Sequence, residues 1–280
     1  MKALTERTLP IGAEPIGRGG VDFRVWAPDR QGIEVVLEHG PGAGTTVVLE
    51  AEADGYFSGL VDAARPGTRY RYRLDSTIMV PDPASRFQPE GPHGASEVIE
   101  AATFPWTDHA WPGPDLDRPV IYELHIGTFT REGTWHAAQE RLEHLADLGV
   151  SVIEVMPVGE FPGRFGWGYD SVYWFAPTRL YGRPDDFRCF VDRAHTLGLG
   201  VILDVVYNHL GPVGCYLREF SATYFSRTRR TEWGAAINFD GPGCQGAREL
   251  VLSNAEYWTR EFHLDGLRLD ATQSIFDASS

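Results

Sequence analysis

The chain has 280 residues, 42% hydrophobic and 23% charged, a globular balance that excludes wholesale disorder at a length suited to two domains. Twenty-five Lys and Arg against 39 Asp and Glu leave a net charge of −14, which argues against nucleic acid and anionic membranes as partners. No apolar run reaches the roughly 18 residues of a membrane span, no apolar core follows Met1-Lys2-Ala3 as a secretory signal requires, and Cys189, Cys215 and Cys244 fit no zinc spacing. Those features predict a cytoplasmic protein without metal or cofactor.

The first part of the chain reads as strands. Val21–Trp26 alternates apolar and polar residues, and Ala27-Pro28-Asp29 turns it. Short β-branched runs follow at Ile33–Leu37 and Thr45–Leu49. Asp54-Gly55 precedes Tyr56-Phe57, and Pro66-Gly67 precedes Thr68–Leu74, where Tyr70, Tyr72 and Leu74 share a face. Short strands with turns at this spacing predict an all-β, immunoglobulin-like sandwich over residues 1–80. Residues 81–117 are rich in Pro and Gly and predict a surface linker, with Trp106 or Trp111 available to an interface.

From residue 118 strands alternate with helices. Val120–His125 is the first predicted strand. Thr134–Leu148 follows as a helix with an apolar stripe at Ala138, Leu142, Leu145 and Leu148, closed by Gly149. Val152–Met156 is the second strand, Asp186–Leu197 the next helix, and Val201–Val206 a continuous apolar strand of the kind buried on both faces. A helix over Arg248–Phe262 and a fourth strand at Gly266–Asp270 complete the series. Such β-then-α units predict a parallel sheet, a barrel or a doubly wound fold.

Two of these strands carry charge. Asp204 sits in the third, with Asn208 and His209 just past its end, and Arg268 and Asp270 share one side of the fourth. An Arg beside an Asp favours the carboxylate and fixes its orientation, and an oriented carboxylate can attack an anomeric carbon. A structural ion pair and a capped turn are the plain alternatives. Chemistry collects at the C-terminal strand ends of parallel barrels, and both motifs lie there.

Asp204–His209 (D-x-x-x-N-H) and Gly266–Asp270 (G-x-R-x-D) resemble two barrel motifs of the α-amylase superfamily of retaining glycoside hydrolases, and Gly168-Tyr169-Asp170 resembles its loop after the second strand. Pro81–Gly94, Tyr122–Thr130 and Phe161–Asp170 look like strings of its malto-oligosyltrehalose trehalohydrolase branch. The resemblance implies that residues 118–280 form the first half of a (β/α)8 TIM barrel behind a carbohydrate-binding-like sandwich. It further implies Asp270 as nucleophile held by Arg268, Tyr169 stacked under the sugar, His209 bonded to it, and Asp204 and Asn208 as braces. Trp167 is a second stacking candidate, with a core role as the alternative.

The implied substrate is malto-oligosyltrehalose or a related α-glucan, cleaved at the α-1,4 bond beside the terminal trehalosyl unit. A glycogen branching or debranching enzyme and a non-catalytic glucan-binding remnant are the rival readings. Residues 118–280 fall short of the roughly 250 of an eight-unit barrel, and the family's general acid after the fifth strand and stabilising Asp after the seventh have no counterpart among them. Glu154 and Glu160 stand in no acid motif. Gln273 stands where relatives often have His. On this reading the 280 residues alone are expected to be a poor hydrolase.

Overall fold

A computed structural model describes residues 7–17 and 19–279. Apart from Arg7, the N-terminal stretch read for a secretory signal lies outside them. Nine strands build the first domain: β1 Gly12–Pro15, β2 Val21–Trp26, β3 Ile33–His39, β4 Thr46–Val48, β5 Glu50–Ala51, β6 Tyr56–Val61, β7 Arg69–Leu74, β8 Ile78–Val80 and β9 Ser96–Glu97. They form one sheet of order β1-β2-β6-β5 and another of order β4-β3-β7-β8, with β9 also on β7. The alternation read from the sequence puts Val21, Phe23 and Val25 in the core with Val35, Tyr70, Tyr72 and Leu74.

The predicted surface linker is only partly one. Residues 96–97 pair with β7, and Asp82, Ser85, Gln88 and Ser96 are fully buried. The Asp82 carboxylate makes this possible. It accepts hydrogen bonds from Tyr70 Oη at 2.6 Å and Ala84 N at 2.7 Å, so the polar segment enters the core with its groups satisfied.

The second domain carries β10 Ile121–Leu124, α1 Ile126–Phe129, α2 Trp135–Gln139, α3 Leu142–Asp147, β11 Val152–Val155, β12 Gly159–Glu160, β13 Tyr173–Pro177 and α4 Pro184–Thr196. β14 Gly200–Val205, α5 Leu217–Phe220, β15 Phe225–Thr231, β16 Gly234–Ile237, α6 Gln245–Glu261 and β17 Gly266–Leu269 follow. Strands β10-β11-β14-β17 lie side by side in chain order and all parallel, an arc of a TIM-type barrel. The helix expected over Thr134–Leu148 is broken in two. Arg141 N donates to Ala138 O rather than to the carbonyl one residue earlier, a tightened turn, and Leu148 leaves the apolar face, 65% exposed.

Outer-face residues Ile153, Val155, Val201 and Leu203 are buried, whereas Ile121 and Leu269 on the two outermost strands, and Val120 just before β10, are about half exposed. No helix among the described residues is long and apolar enough to cross a membrane.

The sandwich packs on α6 and α5. The Trp26 ring lies so close to Gly246 that a Cβ there would come within 2.1 Å of it. Trp26 also meets Tyr224 edge-on at 5.0 Å, Tyr56 Oη donates to Glu249 at 2.7 Å, and Ser221 Oγ donates to Asp29 at 2.8 Å. All six aromatic residues between positions 7 and 80 are buried. This domain therefore turns its Phe, Tyr and Trp rings to its own core and its neighbour, and none of these is exposed among the described residues.

Candidate active site

Strand period and register assemble the site. Residues two apart share a face, and Asp204 of β14 is the direct register partner of Arg268 of β17. Glu123 and Glu154 pair likewise on β10 and β11. The concave face of the arc therefore collects Glu123, Glu154, Asp204 and Arg268, and Asp270 joins them just past β17, its backbone N bonded to Val205 O at 3.0 Å.

Arg268 is the hub. Its Nη1 lies 2.9 Å from both Asp204 oxygens and 2.8 Å from Asp270 Oδ1, and its Nε is 3.8 Å from Glu154. Asn208 Nδ2 donates to the other Asp270 oxygen at 3.2 Å and to its backbone O at 2.9 Å. Both oxygens of Asp270 are thus held by donors, which fixes the carboxylate plane. Tyr169 Oη donates to Asp204 Oδ2 at 2.9 Å. His209 is tied through Nδ1 to Asn208 Oδ1.

The electrostatics of the cluster follow from burial and pairing. Burial pushes the Asp204 carboxyl up, and hydrogen bonds from Arg268 and Tyr169 offset that only in part. The hydrogen bond to Asp204 raises Arg268 further above its already high value, so the guanidinium stays charged. Burial and then Asp204 raise the Tyr169 phenol, which stays a donor. Burial lowers the His209 imidazole against the opposing pull of Asp170 and Asp270, favouring the neutral ring. Burial, then Glu123 and Asp204, raise Glu154. Oxygens of Glu123, Glu154 and Asp204 lie within 4.8 Å of one another, and the Arg268 guanidinium beside two of them is their countercharge.

Six of the seven expected site residues meet: Asp270, Arg268, Asp204, Asn208, His209 and Tyr169. The seventh, Trp167, is 75% exposed and outside this network; it is not a core residue. Two participants went unassigned in the sequence reading. Glu154 faces the guanidinium. Trp233 stacks on the His209 ring at 4.5 Å, nearly parallel. It occupies the two-residue turn between β15 and β16, and the only sequence signal for that hairpin is Gly234 after the turn, because Arg227, Arg229 and Arg230 erase any apolar alternation.

Gly168 explains why Tyr169 sits where it does. Its φ is +93°, and a Cβ there would lie 1.9 Å from Pro157 O. Gly168→Ala is expected to destabilise the chain by at least about 1 kcal/mol and to pull Tyr169 off Asp204. Urea unfolding of the variant checks this; an unchanged midpoint would count against the packing described.

The description "Alpha amylase, catalytic domain" matches residues 86–235, and "Carbohydrate-binding module 48 (Isoamylase N-terminal domain)" matches 10–84. The chain is 48% identical over 263 residues to a malto-oligosyltrehalose trehalohydrolase of Saccharolobus solfataricus, covering 93% of this chain and 45% of that protein. It is 44% identical over 270 residues to the enzyme of that name from Deinococcus radiodurans, covering 96% and 43%. A 1,4-α-glucan branching enzyme of Streptomyces coelicolor is 34% identical over 286 residues, covering 95% and 38%. Among solved structures, a putative α-amylase from Salmonella typhimurium superposes with a TM-score of 0.91 at 42% identity, covering 98% of this chain and 46% of that one. The chain thus spans somewhat under half the length of the relatives it matches.

Proposed function

The chain belongs to the α-amylase family, and on that premise we propose that it carries the nucleophile side of a retaining α-glucan hydrolase site, in a protein that cleaves the α-1,4 bond beside a terminal trehalosyl unit and releases trehalose. The observation that carries this reading is the clamp on Asp270: one oxygen on Arg268, the other on Asn208. In the reaction an Asp270 oxygen bonds to the anomeric carbon as the glycosidic C–O bond breaks and a second carboxylic acid, not assigned among these residues, protonates the departing oxygen; water, giving a proton back to that group, then releases the sugar. Arg268 stays charged throughout and orients the carboxylate. Tyr169, bonded to Asp204, supports the sugar, while His209, bonded to Asn208 and stacked on Trp233, supplies a polar edge. Trp167 offers an exposed ring for a further sugar unit. The free cysteines support a cytoplasmic setting.

Product analysis tests the substrate. The protein carrying this chain is incubated with malto-oligosyltrehalose, and free trehalose is the expected product. A new α-1,6 linkage would instead favour the branching reaction of the Streptomyces coelicolor relative. A fluorinated glycosyl fluoride that traps the covalent adduct should label Asp270 alone, as read by peptide mass spectrometry. Turnover with the label on another carboxylate would overturn the assignment.

A further inference from the structure

A second ionic cluster lies at the opposite end of the parallel sheet, where the strands begin. His195, near the C-terminus of α4, is almost wholly enclosed, its side chain 1% exposed. Its Nδ1 is 2.8 Å from Asp108 Oδ2, and its Nε2 is 3.1 Å from Asp265 Oδ2. Asp108 also receives His263 Nδ1 at 2.8 Å. Asp265, just before β17, receives Trp111 Nε1 at 2.8 Å and Val201 N at 2.7 Å. Trp111 stacks on His195 at 4.8 Å, and Trp106 on His263 at 3.8 Å, both nearly parallel.

We propose that residues 104–111 form a proton-operated strap: they clasp the segment joining the two domains to the floor of the parallel sheet while His195 is an imidazolium, and loosen at Asp108 when it is neutral. The reason is the donor count. A neutral imidazole has a single N–H, yet both ring nitrogens of His195 face carboxylate oxygens at hydrogen-bonding distance. Only the doubly protonated ring satisfies both. Loss of the proton sets a nitrogen lone pair against a carboxylate oxygen on a ring whose side chain is almost wholly enclosed, and one contact must open. Asp265 has two further donors, Trp111 at the end of the strap and the β14 backbone, whereas Asp108 keeps only His263. The contact to Asp108, which lies on the strap, is therefore the one that yields.

The charged groups around His195 all bear on this. Asp108 faces it from the strap and Asp265 from the loop before β17. On its own helix, Asp192 binds Thr107 of the strap at 2.7 Å, and Arg193 turns away to Glu143. His263 reaches it through Asp108. Burial acts to lower His195, but the hydrogen bonds to Asp265 and then Asp108 outweigh that and hold it above its ordinary 6.5. Burial likewise acts to raise Asp108, and the two histidines leave it lowered. A raised histidine stabilises fully below its unfolded-state pKa, and the contribution fades as pH rises through the folded-state value. The strap accordingly loosens on the alkaline side.

Hydrogen exchange of the full protein, read by mass spectrometry on peptides covering residues 101–117, tests the proposal. After correction for base-catalysed intrinsic exchange, protection is expected to fall about tenfold or more between roughly pH 6 and roughly pH 9, with a single inflection. Asp108→Asn should move that inflection to lower pH, and His195→Gln should leave the strap weakly protected throughout with no inflection. Flat protection in the unmodified protein would overturn the proposal. So would an inflection that survives His195→Gln or disappears only in His263→Gln. If His195→Gln does not fold, the unmodified profile and Asp108→Asn decide.

Discussion

On the proposed function, Asp270→Asn is expected to lower kcat on malto-oligosyltrehalose by about 10⁴-fold or more, with little change in KM, in line with the loss of other catalytic nucleophiles. The variant keeps the shape of the side chain and removes its charge. At its position Arg268 donates from one side and Asn208 from the other, so an amide nitrogen faces a donor whichever way it turns. Folding should survive because Asp270 lies past the end of β17 and is partly exposed, and circular dichroism of the variant provides that control. Retention of more than about a tenth of the activity would mean that the covalent step belongs to another group. The product experiment cannot substitute for this one, since it identifies the bond cleaved and not the attacking atom.

Trp26→Ala is expected to cost about 3–5 kcal/mol of stability, the range for removing a large aromatic from a packed site. Trp26 is 5% exposed, donates from Nε1 to Asp54 O at 2.9 Å and packs on Gly246 and Tyr224. The residue belongs to the sandwich, and two of those partners belong to the second domain. Urea unfolding followed by circular dichroism should therefore show both domains losing stability together. A cost below about 1 kcal/mol, or a sandwich that melts separately with the rest unchanged, would show that the two domains do not share a core. The sandwich packs on α6, which leads directly into β17 and hence to Arg268 and Asp270.

Much of this was legible in the residues. Period-two alternation marked β2 and β7, and the long apolar run marked β14, because burial on one face or two leaves a direct trace in composition. The site motifs were legible for a related reason. Asp204 and Arg268 are polar groups within otherwise apolar strands and Asp270 follows Arg268 by two residues, a spacing that places them on one side of the sheet. The buried passage around Asp82 was not legible. Its Pro and Gly content reads as loop, and what carries it inward is a carboxylate satisfied by Tyr70, whose place opposite Asp82 is known only once β7 is paired. The β15–β16 hairpin escaped likewise, since Arg227, Arg229 and Arg230 interrupt the apolar alternation of β15.

By itself, then, the amino-acid order determined the two-part architecture, the parallel strand series and the identity of the clamp residues, because hydrophobic period and motif spacing are local properties. Tertiary structure alone decided that Trp233 covers His209, that Glu154 faces Arg268, that Trp26 fills the notch at Gly246 and that His195 lies between two carboxylates. Each of these depends on which segments distant in sequence are brought within a few ångströms, and strand register and helix docking set that.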